Sequence, residues 1–170
     1  MQELLGMLSD LSQVMAQIES YFRHWNIKPQ RPGRGMWVIR NIGTFSGGAN
    51  IDVIIRVIPH MNGTVVVESY TNLLPDPTAP SFSPGTMLAL CRDLLEFNGR
   101  DDAGDAHFAI KELPLGQRST PAVTVGIRRP LRGLDPDEFM RCIQHVATLA
   151  DENDERLARE FNAQKLRLAF

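Results

Sequence analysis

Three β-rich runs between residues 36 and 71 constrain the fold of this chain more than any other feature. The runs are MWVIRNIGTF from Met36, IDVIIRVIPH from Ile51 and TVVVESYT from Thr64. Asn62-Gly63 joins the second run to the third, and this dipeptide tolerates the positive φ angles of a type I′ hairpin. SGGAN makes a looser turn between the first two. The pattern predicts three consecutive antiparallel strands.

The second run also indicates how the sheet is buried. Its odd-numbered residues from Ile51 to Val57 are apolar and share one face, while Asp52 and Arg56 interrupt the other face. One face of the sheet is therefore expected to be buried and the other partly wet.

A helix is predicted before these strands. Its apolar residues recur in steps of four and three, which gives one apolar stripe. They are Leu4, Leu8, Leu11, Met15, Ile18, Phe22 and Trp25. A coiled-coil seam has similar spacing, but further apolar residues widen the stripe and favour packing on a core. Pro29 and the sequence RPGRG predict the end of the helix and a loop.

Two more helices and two more strands follow. Ser83 caps a helix that starts with Pro84 and ends at Asn98-Gly99. Strands are predicted from His107 to Leu113 and from Pro121 to Arg129.

The last helix has a clear start signal. Asp135 is its cap, Pro136 lies in its first turn and Glu138 completes a capping box. The acidic stretch DENDE from Asp151 is interpreted as a solvated turn of this helix, and the helical pattern continues to Phe161.

No residue pattern in the chain indicates an enzyme, a metal site or a cofactor. Asp101, Asp105 and Glu112 match positions one, five and twelve of a calcium loop, but Ala103 and Ala106 stand where an oxygen ligand and the turn glycine are needed. The four histidines are scattered, and GTFSGG fits neither a nucleophile elbow nor a phosphate loop.

Charge and hydropathy place the protein among cytoplasmic proteins that do not bind nucleic acid. The formal net charge is −2 and no cluster of cations is large enough to grip a nucleic acid backbone. The N-terminus does not have the pattern of a signal peptide, and no apolar run is long enough to insert into a membrane. Cys91 and Cys142 are expected to be free thiols, and the 170 residues to form a single domain, 1–170.

The predicted order of elements, α-β-β-β-α-β-β-α, is an α+β fold with helices packed on an antiparallel sheet. It resembles the type III secretion chaperone-like fold, particularly the bacterial branch with YbjN-type domains. The likeness is carried by LCRDLLEFNG from Leu90, HFAI from His107, and VTVGIRRPLRGLDPDEFMRCIQHVATLAD from Val123. In that family a leucine-rich helix ending in Asn precedes a strand with phenylalanine. A proline-leucine pair, here Pro130-Leu131, precedes a helix opened by Leu-Asp.

The resemblance implies a chaperone-like or adaptor protein, a homodimer without enzymatic activity that binds another protein on apolar patches or strand edges. It implies a dimer interface on the second helix, at Met87, Leu90, Cys91 and Leu94. The long loop from Asn72 to Pro84 offers Leu73, Leu74 and Phe82 as a partner-binding patch, although a flap folded over the core explains these residues equally well.

Two alternatives remain at this stage. A small-molecule sensor would use a pocket between the sheet and the first helix, around Trp25, Trp37 and Tyr70. An enzyme would need an acid and a base that are distant in sequence but meet in space.

Overall fold

A computed structural model describes residues 2–42, 51–58, 63–75, 83–100, 103–115 and 118–166. The predicted order of main elements is confirmed, with two short strands added. In chain order the elements are α1 (Gln2–His24), β1 (Gln30–Gly33), β2 (Met36–Ile42), β3 (Ile51–Ile58), β4 (Thr64–Leu73), α2 (Pro84–Asn98), β5 (His107–Leu115), β6 (Arg118–Pro130), α3 (Pro136–Phe161) and β7 (Gln164–Lys165).

The strands form one antiparallel sheet in the order β1-β2-β3-β4-β6-β5, and β7 pairs with the end of β4. The fifth and sixth strands form a long hairpin, and β6 lies between β4 and β5. Along the described strands, β1 and β5 are therefore the two edges of the sheet.

The helices and one face of the sheet share the main hydrophobic core. The strand residues of this face include Trp37, Val53, Val67, Val125 and Phe108. The buried helix residues that meet them are Ile18, Tyr21 and Phe22 of α1, Leu90 and Leu94 of α2, and Phe139, Cys142, Ile143, Val146, Leu149, Leu157 and Phe161 of α3. The predicted core packing of the first helix is confirmed for the part from Ile18 to Phe22.

A second, smaller cluster lies on the opposite face of the sheet. It contains Val38, Ile54, Leu113 and Ala122. Both faces of the sheet are thus partly apolar, because successive residues of a strand point to opposite sides.

The helix ends follow the predicted signals. Ser83 Oγ accepts a hydrogen bond from Thr86 N at 3.2 Å, and Asp135 Oδ1 accepts one from Glu138 N at 2.7 Å. Both helices begin with proline, whose missing N–H costs nothing at this position. Asn162 ends α3 in the left-handed conformation, with φ of 52°.

Two details of the sequence-based description need correction. The segment predicted as a loop, RPGRG, forms most of the exposed edge strand β1 and the turn before β2. Within the acidic stretch predicted to be solvated, Asn153 and Asp154 are buried, at 7% and 6% exposure. They continue the inward-facing stripe of α3, where Asn72 of β4 donates a hydrogen bond to the Asp154 carbonyl at 2.9 Å.

Candidate functional site

The edge strand β5 presents main-chain groups away from the sheet at every second residue. Its residue Phe108 shows the direction, because the side chain of Asn98, at the end of α2, bonds both of its main-chain groups. Phe108 N donates to Asn98 Oδ1 at 2.7 Å, and Asn98 Nδ2 donates to the Phe108 carbonyl at 2.9 Å. In an antiparallel ladder both groups of one residue point the same way and alternate along the strand. Ile110 and Glu112 therefore point outward as well.

Two further observations support this alternation. Pro121 lies opposite Glu112, and its carbonyl accepts a hydrogen bond from Leu74 N on the β4 side at 2.8 Å. Since the main-chain carbonyl of Pro121 points toward β4, the main-chain groups of Glu112 point the opposite way, toward the outer edge of the sheet. Pro114 lies at the next outward position, where a missing N–H breaks no ladder bond.

The outward main-chain groups of Ile110 and Glu112 have no hydrogen-bond partner among residues 2–42, 51–58, 63–75, 83–100, 103–115 and 118–166. Phe108, by contrast, is already occupied by Asn98. As far as the chain is described, the unpaired part of the edge thus begins at Ile110. An extended segment can add main-chain hydrogen bonds there.

The side chains of β5 differ between the two faces of the sheet. Ile110 packs partly against the main core on the helix side. Glu112 is exposed on the same side, where its carboxylate accepts a hydrogen bond from Ser119 Oγ at 2.7 Å. Lys111 points to the other face.

On that other face, Lys111 and Arg56 neutralise the buried carboxylate of Glu68. Glu68 is only 1% exposed, Arg56 Nη2 lies 2.5 Å from its Oε1, and Lys111 Nζ contacts its Oε2. Glycine at position 126, opposite Glu68, permits this packing, because a Cβ there would lie 3.2 Å from the Glu68 Cβ. The cluster links β3, β4 and β5, and so holds the edge strand on the face of the sheet opposite the helices.

The cluster also affects a neighbouring phenol. Burial raises the pKa of Tyr70, and the negative charge of Glu68 adds to this effect. Tyr70 is therefore a neutral packing residue of the second face rather than a base.

The predicted partner-binding residues are buried or partly buried where they are described. Leu74 is 3% exposed, and Leu73 packs against the smaller apolar cluster. Phe82 lies outside the described residues. The partner-binding role of the three residues stays a prediction.

The predicted dimer residues of α2 face the core more than the surface. Leu90 is 0% and Leu94 5% exposed, and Met87 packs partly against the same core. Cys91 is half-buried. The exposed side of α2 instead carries Leu88 and Leu95, at 57% and 70% exposure. The dimer stays a prediction. A charged substitution at Leu90 would not test it, because the charge would disrupt the core.

The residues proposed for a sensor pocket do not surround one space. Trp37 is buried in the helix-side core, whereas Tyr70 packs on the opposite face of the sheet. Trp25 is 43% exposed at the end of α1, where its indole donates a hydrogen bond to the Pro136 carbonyl at 3.0 Å. The sheet itself thus separates two of the three residues.

A groove of about 460 Å³ lies elsewhere, between the end of α2 and α3, where Phe97, Arg100 and His145 are among its lining residues. Arg156, at its far end, is held by both oxygens of Asp93 at 2.8 Å. The charge of this guanidinium is therefore already paired with Asp93 within the protein.

The remaining chemical candidates are used in packing. Asp105 of the near-miss calcium loop contacts Arg129, and Glu112 lies in β5. No group of three or more metal-binding side chains occurs in the part of the chain that the structure describes. The thiols of Cys91 and Cys142 are free, and burial raises the pKa of Cys142. A thiol with a raised pKa is a poor nucleophile.

The sequence contained one signal for this edge. Proline inside the apolar strand HFAIKELPL is typical of an edge strand, with its nitrogen turned away from the ladder. The pairing of Asn98 with Phe108 had no such signal, because it depends on where α2 ends relative to β5.

None of the helices, as far as they are described, is long and apolar enough to cross a membrane. No protein-family model matches the chain, and no curated protein sequence matches it significantly.

The fold is similar to a solved structure. The crystal structure of YbjN from E. coli, a protein proposed to be a transcription regulator, matches with a TM-score of 0.57 at 12% sequence identity. The match covers 90% of this chain and 96% of YbjN. The assignment to secretion chaperones in particular stays a prediction, whereas the YbjN-like α+β fold expected from the sequence is confirmed.

Proposed function

We propose that this protein is a cytoplasmic, non-enzymatic, single-domain adaptor that binds an extended segment of another polypeptide as an added strand on β5. The observation that carries the proposal is the outward edge at Ile110 and Glu112, to which no described residue is bonded, next to a position that Asn98 already occupies. The Asn98 side chain bonds both main-chain groups of Phe108, as a partner strand would bond those of Ile110 and Glu112. A protein-binding role is compatible with the regulatory role proposed for YbjN.

The strength of such binding can be bounded. Two residues offer two N–H and two C=O groups, each worth about 0.5–1.5 kcal/mol net, so that the main chain supplies about 2–6 kcal/mol. A millimolar complex already needs about 4 kcal/mol. A micromolar complex needs about 8 kcal/mol, more than the main chain supplies, so side-chain contacts or a second binding site must contribute to binding of that strength. A dimer would supply the second site by raising the effective concentration.

We also propose that α2 forms a homodimer interface through Leu88 and Leu95. These residues lie seven positions apart, which places them on one side of the helix. Both are largely exposed, and α2 has no acidic residue in its first turn. In an antiparallel pair, Leu88 would meet Leu95 of the second copy. Glu96 of each helix would then approach the N-terminal half of the other, which favours negative charge.

The adaptor proposal is tested by removing a single main-chain donor. Glu112→Pro deletes the outward N–H and breaks no bond to β6, so we expect the fold to be retained. Glu112→Ala removes the same side chain and keeps the N–H, and is the matched control. Each tagged protein is used to capture polypeptides from the native host, and these are identified by mass spectrometry.

The proposal predicts a partner that is recovered with wild type and with Glu112→Ala and lost with Glu112→Pro. A partner retained at full yield by a folded Glu112→Pro protein would show that binding does not use this edge. Circular dichroism and thermal unfolding of both variants establish that they are folded.

A further inference from the structure

The side chains of β5 determine which segments its edge accepts. We infer that the edge selects a segment with an apolar residue beside Ile110 and a lysine or arginine beside Glu112, two positions away. This inference rests on the proposed function and adds the chemistry of the partner. The two partner residues share one face of the added strand, because Ile110 and Glu112 share one face of β5.

The apolar position follows from the packing of Ile110. Its side chain lies on the helix side and is only partly covered by the core. Phe108, the preceding residue on this face, stacks edge-on with Phe97 at 4.7 Å between ring centroids. Directly opposite residues of neighbouring strands have Cβ atoms about 4.5–5.5 Å apart, so an apolar side chain beside Ile110 would cover its remaining exposed surface.

The basic position follows from the charge of Glu112. Its carboxylate is exposed and accepts one hydrogen bond, from the neutral hydroxyl of Ser119. Among the side chains that the structure describes, no cation forms an ion pair with it. A lysine or arginine directly across the added strand would supply the missing positive charge, and opposite charges in this position are stabilising.

The same features disfavour a second copy of this chain as the occupant. In a two-fold pairing centred on Glu112, two carboxylates would lie directly opposite each other, which is destabilising. In a two-fold pairing centred one residue earlier, on Lys111, each Glu112 would lie directly opposite Ile110 of the other copy. The Pro114 nitrogen cannot donate in either arrangement. Charges and prolines on an edge are common devices against self-association, so the edge suits a basic segment of another polypeptide.

The inference is tested with a display library of random peptides about ten residues long, the usual upper length of a strand. The baits are wild type, Glu112→Lys and Glu112→Pro. Glu152→Lys, which makes the same charge change at an exposed position of α3, is the control bait. Peptides that bind wild type but not Glu112→Pro are sequenced as edge-dependent peptides.

We expect the edge-dependent peptides to be enriched in an apolar residue two positions from lysine or arginine. Glu112→Lys should select aspartate or glutamate at the basic position, and Glu152→Lys should not. A lysine-containing peptide should bind wild type roughly 2- to 30-fold more tightly than it binds Glu112→Lys.

The outcomes separate the two proposals. Edge-dependent peptides without a charge preference, or with the same preference on Glu112→Lys, overturn this inference and leave strand addition standing. Peptides that bind Glu112→Pro as well as wild type, or a library that yields no binder, overturn strand addition itself.

Discussion

At the scale of single residues, the buried carboxylate of Glu68 connects stability to the candidate site. It is 1% exposed and has two cationic partners, Arg56 and Lys111, which are only partly buried. Lys111 belongs to β5, so this contact holds the edge strand. The sequence did not reveal the cluster, because a charged residue in a strand pattern is ordinarily read as facing solvent, and its partners lie on two other strands.

Lys111→Met tests the cluster. The substitution keeps an unbranched side chain only one atom shorter but leaves the buried carboxylate with one cation, and we expect the free energy of unfolding to fall by about 1–3 kcal/mol. Lys28→Met, at an exposed loop position, should change it by less than about 0.5 kcal/mol. Urea denaturation of the three proteins measures both effects, and equal stabilities would contradict the role given to Glu68.

Asp154 contributes to the free energy of unfolding in a way that depends on pH. The direction is opposite to that of a carboxylate in an ordinary ion pair, whose pKa is lowered. Burial raises the pKa of Asp154, although Lys165, with Nζ 3.4 Å from Oδ1, lowers it in part. The folded state therefore keeps a proton that the unfolded chain has released. The stability contributed by this residue is highest below the unfolded pKa of about 4 and declines as pH rises to the raised folded pKa.

Asp154→Asn removes this titration, and its stability relative to wild type should rise as pH increases from below the unfolded pKa of about 4 through the raised folded pKa. Glu152→Gln makes the same charge change at an exposed position of the same helix. Denaturant unfolding across this range gives the difference at each pH. A difference for Asp154→Asn that stays constant, or that changes in the same way for Glu152→Gln, would contradict the assignment.

At the scale of the elements, α2 shows what a sequence pattern predicts and what it leaves open. Its cap at Ser83 and its end at Asn98 are confirmed, because both depend on local signals. The pattern did not separate the buried Leu90 and Leu94 from the exposed Leu88 and Leu95, since leucine occurs on two opposite sides of this helix. Which side faces the core depends on how α2 lies against β5.

The proposed dimer gives a prediction for this helix. The double substitution Leu88→Glu and Leu95→Glu should yield a folded monomer in light scattering, because both side chains lie outside the core. Leu90→Asp should instead unfold the protein, since it places a carboxylate at a fully buried position. A double variant with the mass of wild type would remove α2 from the interface.

At the scale of the whole molecule, the order of elements was predictable, but the order of strands in the sheet was not. Local patterns such as the run from Ile51 and the cap at Asp135 identify elements because they need only neighbouring residues. The insertion of β6 between β4 and β5 is a long-range pairing, for example Glu68 opposite Gly126. The short strands β1 and β7 were missed because two to four exposed residues give no periodic pattern.

The strand order makes β5 an edge, and the central claim concerns that edge. Amide hydrogen exchange of the isolated protein, followed by NMR, tests the claim without a partner. The Ile110 and Glu112 amides should exchange rapidly, whereas those of Ala109 and Lys111, which face β6, should be protected. Protection of Ile110 and Glu112 equal to that of Ala109 and Lys111 would show that the edge is already covered, and would contradict the account.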